Sequence, residues 1–233
     1  MEFVFPPAPP VSLPIAGTAA RLPVTRVFCV GRNYEAHAAE MGSSVDREAP
    51  FFFTKSLTAV AEAGGTVAFP PGTADYHHEV ELAVALGGGG ADVPHGSALD
   101  LVFGYACALD MTRRDLQAEA KDKRRPWDLG KDVEQSAIFA PIAPAAHVGH
   151  PAAGRIWLQV DGAPRQDADL SEMVWSVAEL ISHLSRFYRL RPGDLVLTGT
   201  PAGVGPVPPG ARLTGGAAGL PGLDVTIGER LGV

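Results

Sequence analysis

The chain has 233 residues, 46% of them apolar, and a formal net charge of −7; it is long and apolar enough to bury a core, and little disorder is expected. The acidic balance, with no cluster of Lys and Arg, excludes a nucleic-acid surface, which needs dense positive charge against phosphates, and makes small molecules the expected partners. The start MEFVFPPAPPVSLP has neither a basic leader nor an unbroken apolar stretch, and no later segment approaches the ~20 apolar residues of a membrane span, so secretion by a standard signal and membrane insertion are not expected.

Residues 1–22 are rich in Pro and Ala and read as an extended arm across the surface, without regular structure. One domain is expected over 23–233. It opens with a β run at 24–30, which contains Cys29; Cys107 lies in a similar apolar run, GYACAL. Thiols in such runs are buried and reduced, which points to the cytoplasm. A short helix follows over 34–41 and closes on Gly42. His37 and Glu40, three residues apart, share a face of it. A carboxylate beside an imidazole fixes the ring's tautomer and raises its basicity, as needed to deprotonate water; an exposed surface pair is the competing reading, and spacing alone does not decide.

Residues 51–53 form the next β run, and HHEVELAVAL the one after it, centred on 80–86. Glu79 and Glu81, two apart in a strand, face the same way. Two like carboxylates on one pleat face repel each other unless water or a cation attends them. A third, Asp110, ends the apolar run 101–109. A capping box of Thr112 and Asp115 is predicted to open a helix running to about Lys123, which frees Asp110 from capping. Three carboxylates without Cys or paired His make an all-oxygen site, suited to Mg²⁺ or Mn²⁺. A His-Glu-x-x-His zinc site would need His where Leu82 stands, so His77 and His78 read as packing or supporting groups. A solvated strand face is the competing reading for Glu79 and Glu81.

On the helix after Asp110, Arg114 and Gln117 share a face and are placed to reach a ligand at the metal, against the alternative of a solvated face. Lys131 in RPWDLGKDVEQS lies near Trp127 and reads as either a cleft cation or a surface charge. A β run at 156–160 ends in Asp161–Gly162, a hairpin signal. Ser176 and Glu179 form a clear capping box for a structural helix whose apolar positions 177, 180, 181, 184 and 188 keep helical spacing until Pro192 and Gly193. Further β runs are expected at 195–198 and 223–227. Gly87–Gly90 and TGTPAGVG at 198–205 lack the Lys-Ser/Thr or the helix-opening turn of a nucleotide loop. Strands and helices do not alternate regularly, so the expected fold is α+β, a mixed β-roll with a few short helices.

In order, CVGRNYEAHAAEMG, PFFFTK, YHHEVELAVALG, GYACALDMTRRDLQ, RPWDLGKDVEQS and RPGDLVLTGTPAGVG resemble the successive blocks of the fumarylacetoacetate hydrolase family, from roughly Val24 to Gly205. With the Pro-rich start they most resemble its bacterial fumarylpyruvate- and acylpyruvate-cleaving branch. The resemblance implies a catalytic domain of mixed β-roll fold, usually dimeric. It implies Glu79, Glu81 and Asp110 as ligands of Mg²⁺ or Mn²⁺, and His37 with Glu40 as a water-activating dyad on a lid helix. It further implies Lys131 as the active-site lysine, and Arg114, Gln117 and Thr200 as contacts to a 2-oxo acid. The implied reaction is hydrolysis of a C–C bond in an acylpyruvate, fumarylpyruvate first, in aromatic catabolism. Oxaloacetate decarboxylation and 2-oxo-dienoate isomerisation or hydration are alternatives within the family; a non-catalytic β-domain binding a metal or a carboxylate is the alternative outside it. Arg32 and Arg125 are available cations for the far end of the substrate. The closing TGGAAGLPGLDVTIGERLGV is richer in Gly than the family pattern, which leaves the sheet edge there open.

Overall fold

The computed structural model describes residues 2–230, so Met1 of the arm and the last three residues of the closing segment lie outside it. A mixed sheet forms the centre, in the order Phe51–Lys55, Arg26–Gly31, Asp194–Leu197, Val80–Leu86, Val102–Asp110, Ala137–Phe139, Val60–Glu62, with Ala143–Pro144 paired beside Val102–Asp110. Arg26–Gly31 runs parallel to Asp194–Leu197 and Ala137–Phe139 parallel to Val60–Glu62, while the other pairs are antiparallel. A second sheet, Ala163–Asp169, Arg155–Val160, Arg212–Ala217, Leu223–Arg230 and Thr66–Phe69, packs against one face of the first. The result is the expected mixed β-roll.

Val80–Leu86 is buried at every position because both its faces are covered. Val80, Leu82, Val84 and Leu86 enter the larger core with Ile156, Leu158, Leu213 and Val225 of the second sheet. Ala83 and Ala85 enter a smaller core with Val27, Cys29, Leu195 and Leu197. Leu13 and Leu22 belong to that smaller core, which explains a difference from the expected arm: Ser12–Pro14 and Arg21–Pro23 pair antiparallel, and the hairpin caps the sheet. In the arm, prolines crowd only residues 6–10; from Val11 onward they are isolated there, and Pro14 and Pro23 each stand at the last position of a hairpin strand, where a missing N–H costs least.

Among the described residues five short α-helices decorate the roll: α1 (Glu35–Glu40), α2 (Arg114–Asp122), α3 (Asp128–Lys131), α4 (Ala145–Val148) and α5 (Val177–Leu184). Among the described residues no helix is long and apolar enough to cross a membrane. The Ser176–Glu179 capping box of α5 forms as expected, but the helix stops at Leu184. There the Ser185 hydroxyl donates to Ser182 O and accepts from Val93 N, and Tyr188 instead packs on Phe28 with ring centroids 4.9 Å apart. The box predicted for α2 does not form. Thr112 lies in a two-residue strand paired to His77, and Asp115 accepts from Thr73 Oγ1 at 2.6 Å and Ala74 N at 3.0 Å, so tertiary partners replace the local cap. Asp161 and Gly162, both with positive φ (50° and 77°), make the expected tight hairpin turn. The Gly-rich closing segment supplies two regular strands, Arg212–Ala217 and Leu223–Arg230.

Candidate active site and metal centre

Strand register brings the acidic residues together. Val80 pairs with Leu109 and Glu81 with Ala108, and Asp110 N donates to Glu79 O at 2.9 Å, so Glu79, Glu81 and Asp110 lie on one face of an antiparallel pair. All three are buried, and one carboxylate oxygen from each lies within 4.8 Å of the others. The neighbours on this face, Ala83, Ala106 and Ala108, are small. The solvated-face reading is thereby set aside.

Three cations attend the cluster. Lys131 Nζ donates to Glu79 Oε2 at 2.7 Å and to Asp110 Oδ2 at 2.8 Å, and it is 3% exposed, which rules out a surface charge. Arg114 Nη2 donates to Glu79 Oε1 at 2.5 Å, and its Nη1 donates to Gln117 Oε1 at 2.7 Å. The third, Lys55, was not foreseen. It closes the strand Phe51–Lys55, is 3% exposed and donates to Ser136 Oγ at 2.8 Å, Met111 O at 3.1 Å and Lys131 O. Its Nζ lies 3.0 Å from Asp110 Oδ1, though the angle leaves that oxygen without a well-directed hydrogen bond. The sequence carries no signal for it, since Phe51 and Thr54 of the same strand are exposed.

Electrostatics separate the carboxylates. Burial alone would raise Glu79, but Lys131 and Arg114 outweigh it and hold the group well below the usual range. Glu81 goes the other way. Burial, then the charges of Asp110 and Glu79, push its carboxyl well above the usual range, and its hydrogen-bond partner is the Gly199 backbone N–H at 2.7 Å. Lys131 is raised, since Asp110 and Glu79 overcome the opposing effect of burial. A hard divalent cation fits this donor set: the atoms are all oxygen, Asp110 Oδ1 lacks a directed donor, and a cation removes the repulsion that Glu81 registers.

The Gly199 contact depends on its own backbone. Its φ is +95°, and an added Cβ would lie 2.7 Å from Asn33 Cβ, so only glycine fits there. Asn33 anchors the same junction, donating from Nδ2 to Trp175 O (3.0 Å) and Thr198 O (2.8 Å) and accepting at Oδ1 from Trp175 N (2.6 Å). It thereby seats α1 over the cluster. His37 Nδ1 lies 3.3 Å from Glu40 Oε2, and the Glu40 oxygens accept from Gly203 N at 3.2 Å each. His37 is 8% exposed, so it is not the free surface pair of the alternative reading. Burial, the largest effect, keeps its imidazole below the ordinary 6.5, against the pull of Glu79 and Glu40. At neutral pH the ring is uncharged and can accept a proton.

Behind the metal face, Gln166 joins the pieces. Its Oε1 accepts from Val80 N and from His78 Nδ1, both at 3.0 Å, and its Nε2 donates to Thr200 Oγ1 (2.7 Å) and Pro201 O (2.9 Å). Val80 separates Glu79 from Glu81, so Gln166 ties the ligand strand to the loop that holds Glu81. Nothing in the sequence marked it, since it lies in a hairpin strand of mostly exposed residues. Burial pushes His78 down to about 4, in line with its supporting role. Gln166→Leu is expected to lower stability by about 2–4 kcal/mol, because it strands several buried polar groups. Urea denaturation followed by circular dichroism measures this.

Glu79, Glu81, Asp110, His37, Arg114, Gln117, Lys131 and Thr200 all line one cleft, together with Arg32, Lys121, Phe53 and Trp127. Glu40 stands behind His37 and does not line it. The Thr200 hydroxyl is engaged by Val80 O (2.8 Å) and Gln166, which leaves one lone pair for a ligand. Arg125 lies on another face, beside Pro126 and Leu129, away from the cleft.

Residues 26–227 match the family model described as fumarylacetoacetate (FAA) hydrolase C-terminal. A fumarylpyruvate hydrolase of a Ralstonia species is 45% identical over 190 residues, covering 81% of this chain and 98% of that protein. A mitochondrial oxaloacetate tautomerase of Arabidopsis thaliana is 42% identical over 207 residues, covering 89% and 92%. The crystal structure of fumarylpyruvate hydrolase from Pseudomonas aeruginosa, in complex with Mn²⁺ and pyruvate, superposes with a TM-score of 0.95 at 51% identity, covering 98% of this chain and all of that one.

Proposed function

Because this chain belongs to the fumarylacetoacetate hydrolase family, whose members are enzymes of hydrolase or lyase type, we propose that it hydrolyses a C–C bond in an acylpyruvate, with fumarylpyruvate its preferred substrate and Mg²⁺ or Mn²⁺ its cofactor. The observation that carries this reading is the uncharged His37, held by Glu40 and lining the same cleft as the carboxylate cluster. Glu79, Glu81 and Asp110 would hold the ion, which supplies Lewis acidity to the 2-oxo acid end of the substrate.

The protein's own groups then divide the work. Arg114 and Gln117 orient the substrate carboxylate. His37 takes a proton from water through Nε2 while Glu40 receives the Nδ1 hydrogen bond, and the hydroxide adds to the distal 4-carbonyl carbon. Lys131 steadies the oxyanion that forms there. As that oxygen re-forms its double bond, the bond between carbons 3 and 4 breaks, the electron pair passes to the pyruvate unit, and the His37 imidazolium returns the proton to carbon 3. One water is consumed, and pyruvate and a carboxylic acid leave, the acid then giving its proton to solvent.

A second reading draws on the likeness to an oxaloacetate tautomerase: the same base would move a proton at carbon 3 of a 2-oxo acid with no water attacking. A steady-state screen separates the two. Fumarylpyruvate and oxaloacetate are offered in parallel with Mg²⁺ or Mn²⁺, following loss of the enol absorbance and release of pyruvate. Pyruvate released fastest from fumarylpyruvate, and abolished by a chelator, is expected. Oxaloacetate tautomerised while fumarylpyruvate is left intact would replace hydrolysis with the second reading.

A further inference from the structure

Helix α2 measures the cleft. Arg114, Gln117 and Lys121 stand at i, i+3 and i+7, one stripe of a helix, and all three line the cleft. Arg114 grips Glu79 and so marks the end beside the carboxylate cluster. Lys121 lies two turns further on, about 10 Å along the axis, and since both side chains lean alike toward the N-terminus their heads keep roughly that spacing. The wall between is aromatic: Lys121 Nζ lies 5.0 Å from the Trp127 ring centroid, and Trp127 packs on Phe51 (4.9 Å) and Phe53 (6.0 Å).

Lys121 is half-buried and has no carboxylate partner among the described residues, whereas the other lysine of the cleft, Lys131, has two. Burial, then the nearby charges of Arg114 and Arg32, lower its pKa, so its surroundings penalise the cation as it stands. Arg32 lines the same cleft and likewise has no acidic partner among the described residues. An arriving anion would relieve both.

Resting on the acylpyruvate reading, we propose that Lys121 receives a second carboxylate at the far end of the substrate, and so makes the cleft selective for dicarboxylic over monocarboxylic acylpyruvates. The lengths agree. Between the two carboxyl carbons of extended fumarylpyruvate lie six C–C bonds, about 7 Å by the reach of an extended backbone with as many bonds. That is about 3 Å less than the axial offset of Lys121 from Arg114, a difference that a hydrogen bond of ordinary length at each end covers. The unsaturated middle of such a molecule would lie along Trp127 and Phe53.

The test compares kcat/KM for fumarylpyruvate and for acetylpyruvate, which ends in a methyl group, in the metal-loaded wild type, Lys121→Met and Lys121→Arg. The fumarylpyruvate-to-acetylpyruvate ratio is expected to fall at least tenfold in Lys121→Met, mainly through KM, and to recover largely in Lys121→Arg. A ratio within twofold of wild type, or a parallel loss on both substrates, would overturn the proposal. Calorimetric binding of fumarate against crotonate gives a readout independent of turnover. A preference for fumarate that disappears in Lys121→Met supports the subsite even where neither acylpyruvate is cleaved, an outcome that would sink the hydrolase reading alone. No such preference in the wild type removes the subsite.

Discussion

Glu81→Ala is expected to abolish metal-dependent turnover, by about a thousandfold or more, while leaving the roll folded. The size follows from the several kcal/mol that Lewis-acid stabilisation contributes in such sites, with each factor of ten worth about 1.4 kcal/mol. Survival of the fold follows from the same electrostatics that mark the site. Glu81 is the carboxylate that its neighbours repel, and its backbone partner is a single N–H, that of Gly199. Its removal relieves repulsion between like charges while stranding that donor, at a cost of about 1–3 kcal/mol. Glu81→Gln keeps an acceptor for Gly199 and separates the two effects: it should fold as well as wild type and remain inactive. Turnover equal to wild type in either variant, persisting in chelator, would refute the ligand assignment.

His37→Ala should lower kcat by about 100- to 10,000-fold, the range of a lost general base, while metal affinity stays within a few-fold of wild type. The two readouts differ because His37 is on α1 and touches none of the three carboxylates through a hydrogen bond. The wild-type pH profile carries the same information with a definite sign. The base works uncharged, so activity is full above its pKa and falls as the pH drops through it. Burial places that pKa below the ordinary 6.5, and a divalent ion nearby would lower it further, so the acid limb should lie below pH 6.5. That limb should be missing from the residual activity of His37→Ala. Unchanged turnover in the variant would exclude His37 as the base.

Much of this was legible in the residues. The alternation of HHEVELAVAL placed Glu79 and Glu81 on one face, and the boundaries of Val80–Leu86 matched the apolar run. What joins them to Asp110 is the register between two strands twenty residues apart in places, which periodicity does not encode and only the ladder supplies. The resemblance bridged that gap. Lys55 and Gln166 escaped because each looks ordinary where it stands, a lysine closing a strand and an amide in an exposed hairpin; their roles come from chain segments that meet only after folding. Local signals failed where tertiary partners outbid them. Asp115 left its capping box for Thr73 and Ala74, and Tyr188, in helical register with Leu184, packs on Phe28 from beyond the helix end. Lys121 passed unnoticed for the opposite reason: on an amphipathic helix it matches any solvated lysine, and only the cleft beside it gives it meaning.

Anomalous diffraction from crystals grown with Mn²⁺ addresses the carboxylate centre most directly. One peak per chain is expected, ligated by oxygens of Glu79, Glu81 and Asp110, and absent from Asp110→Asn crystals. A peak elsewhere, or none at saturating Mn²⁺, would contradict the assignment on which the proposed chemistry rests.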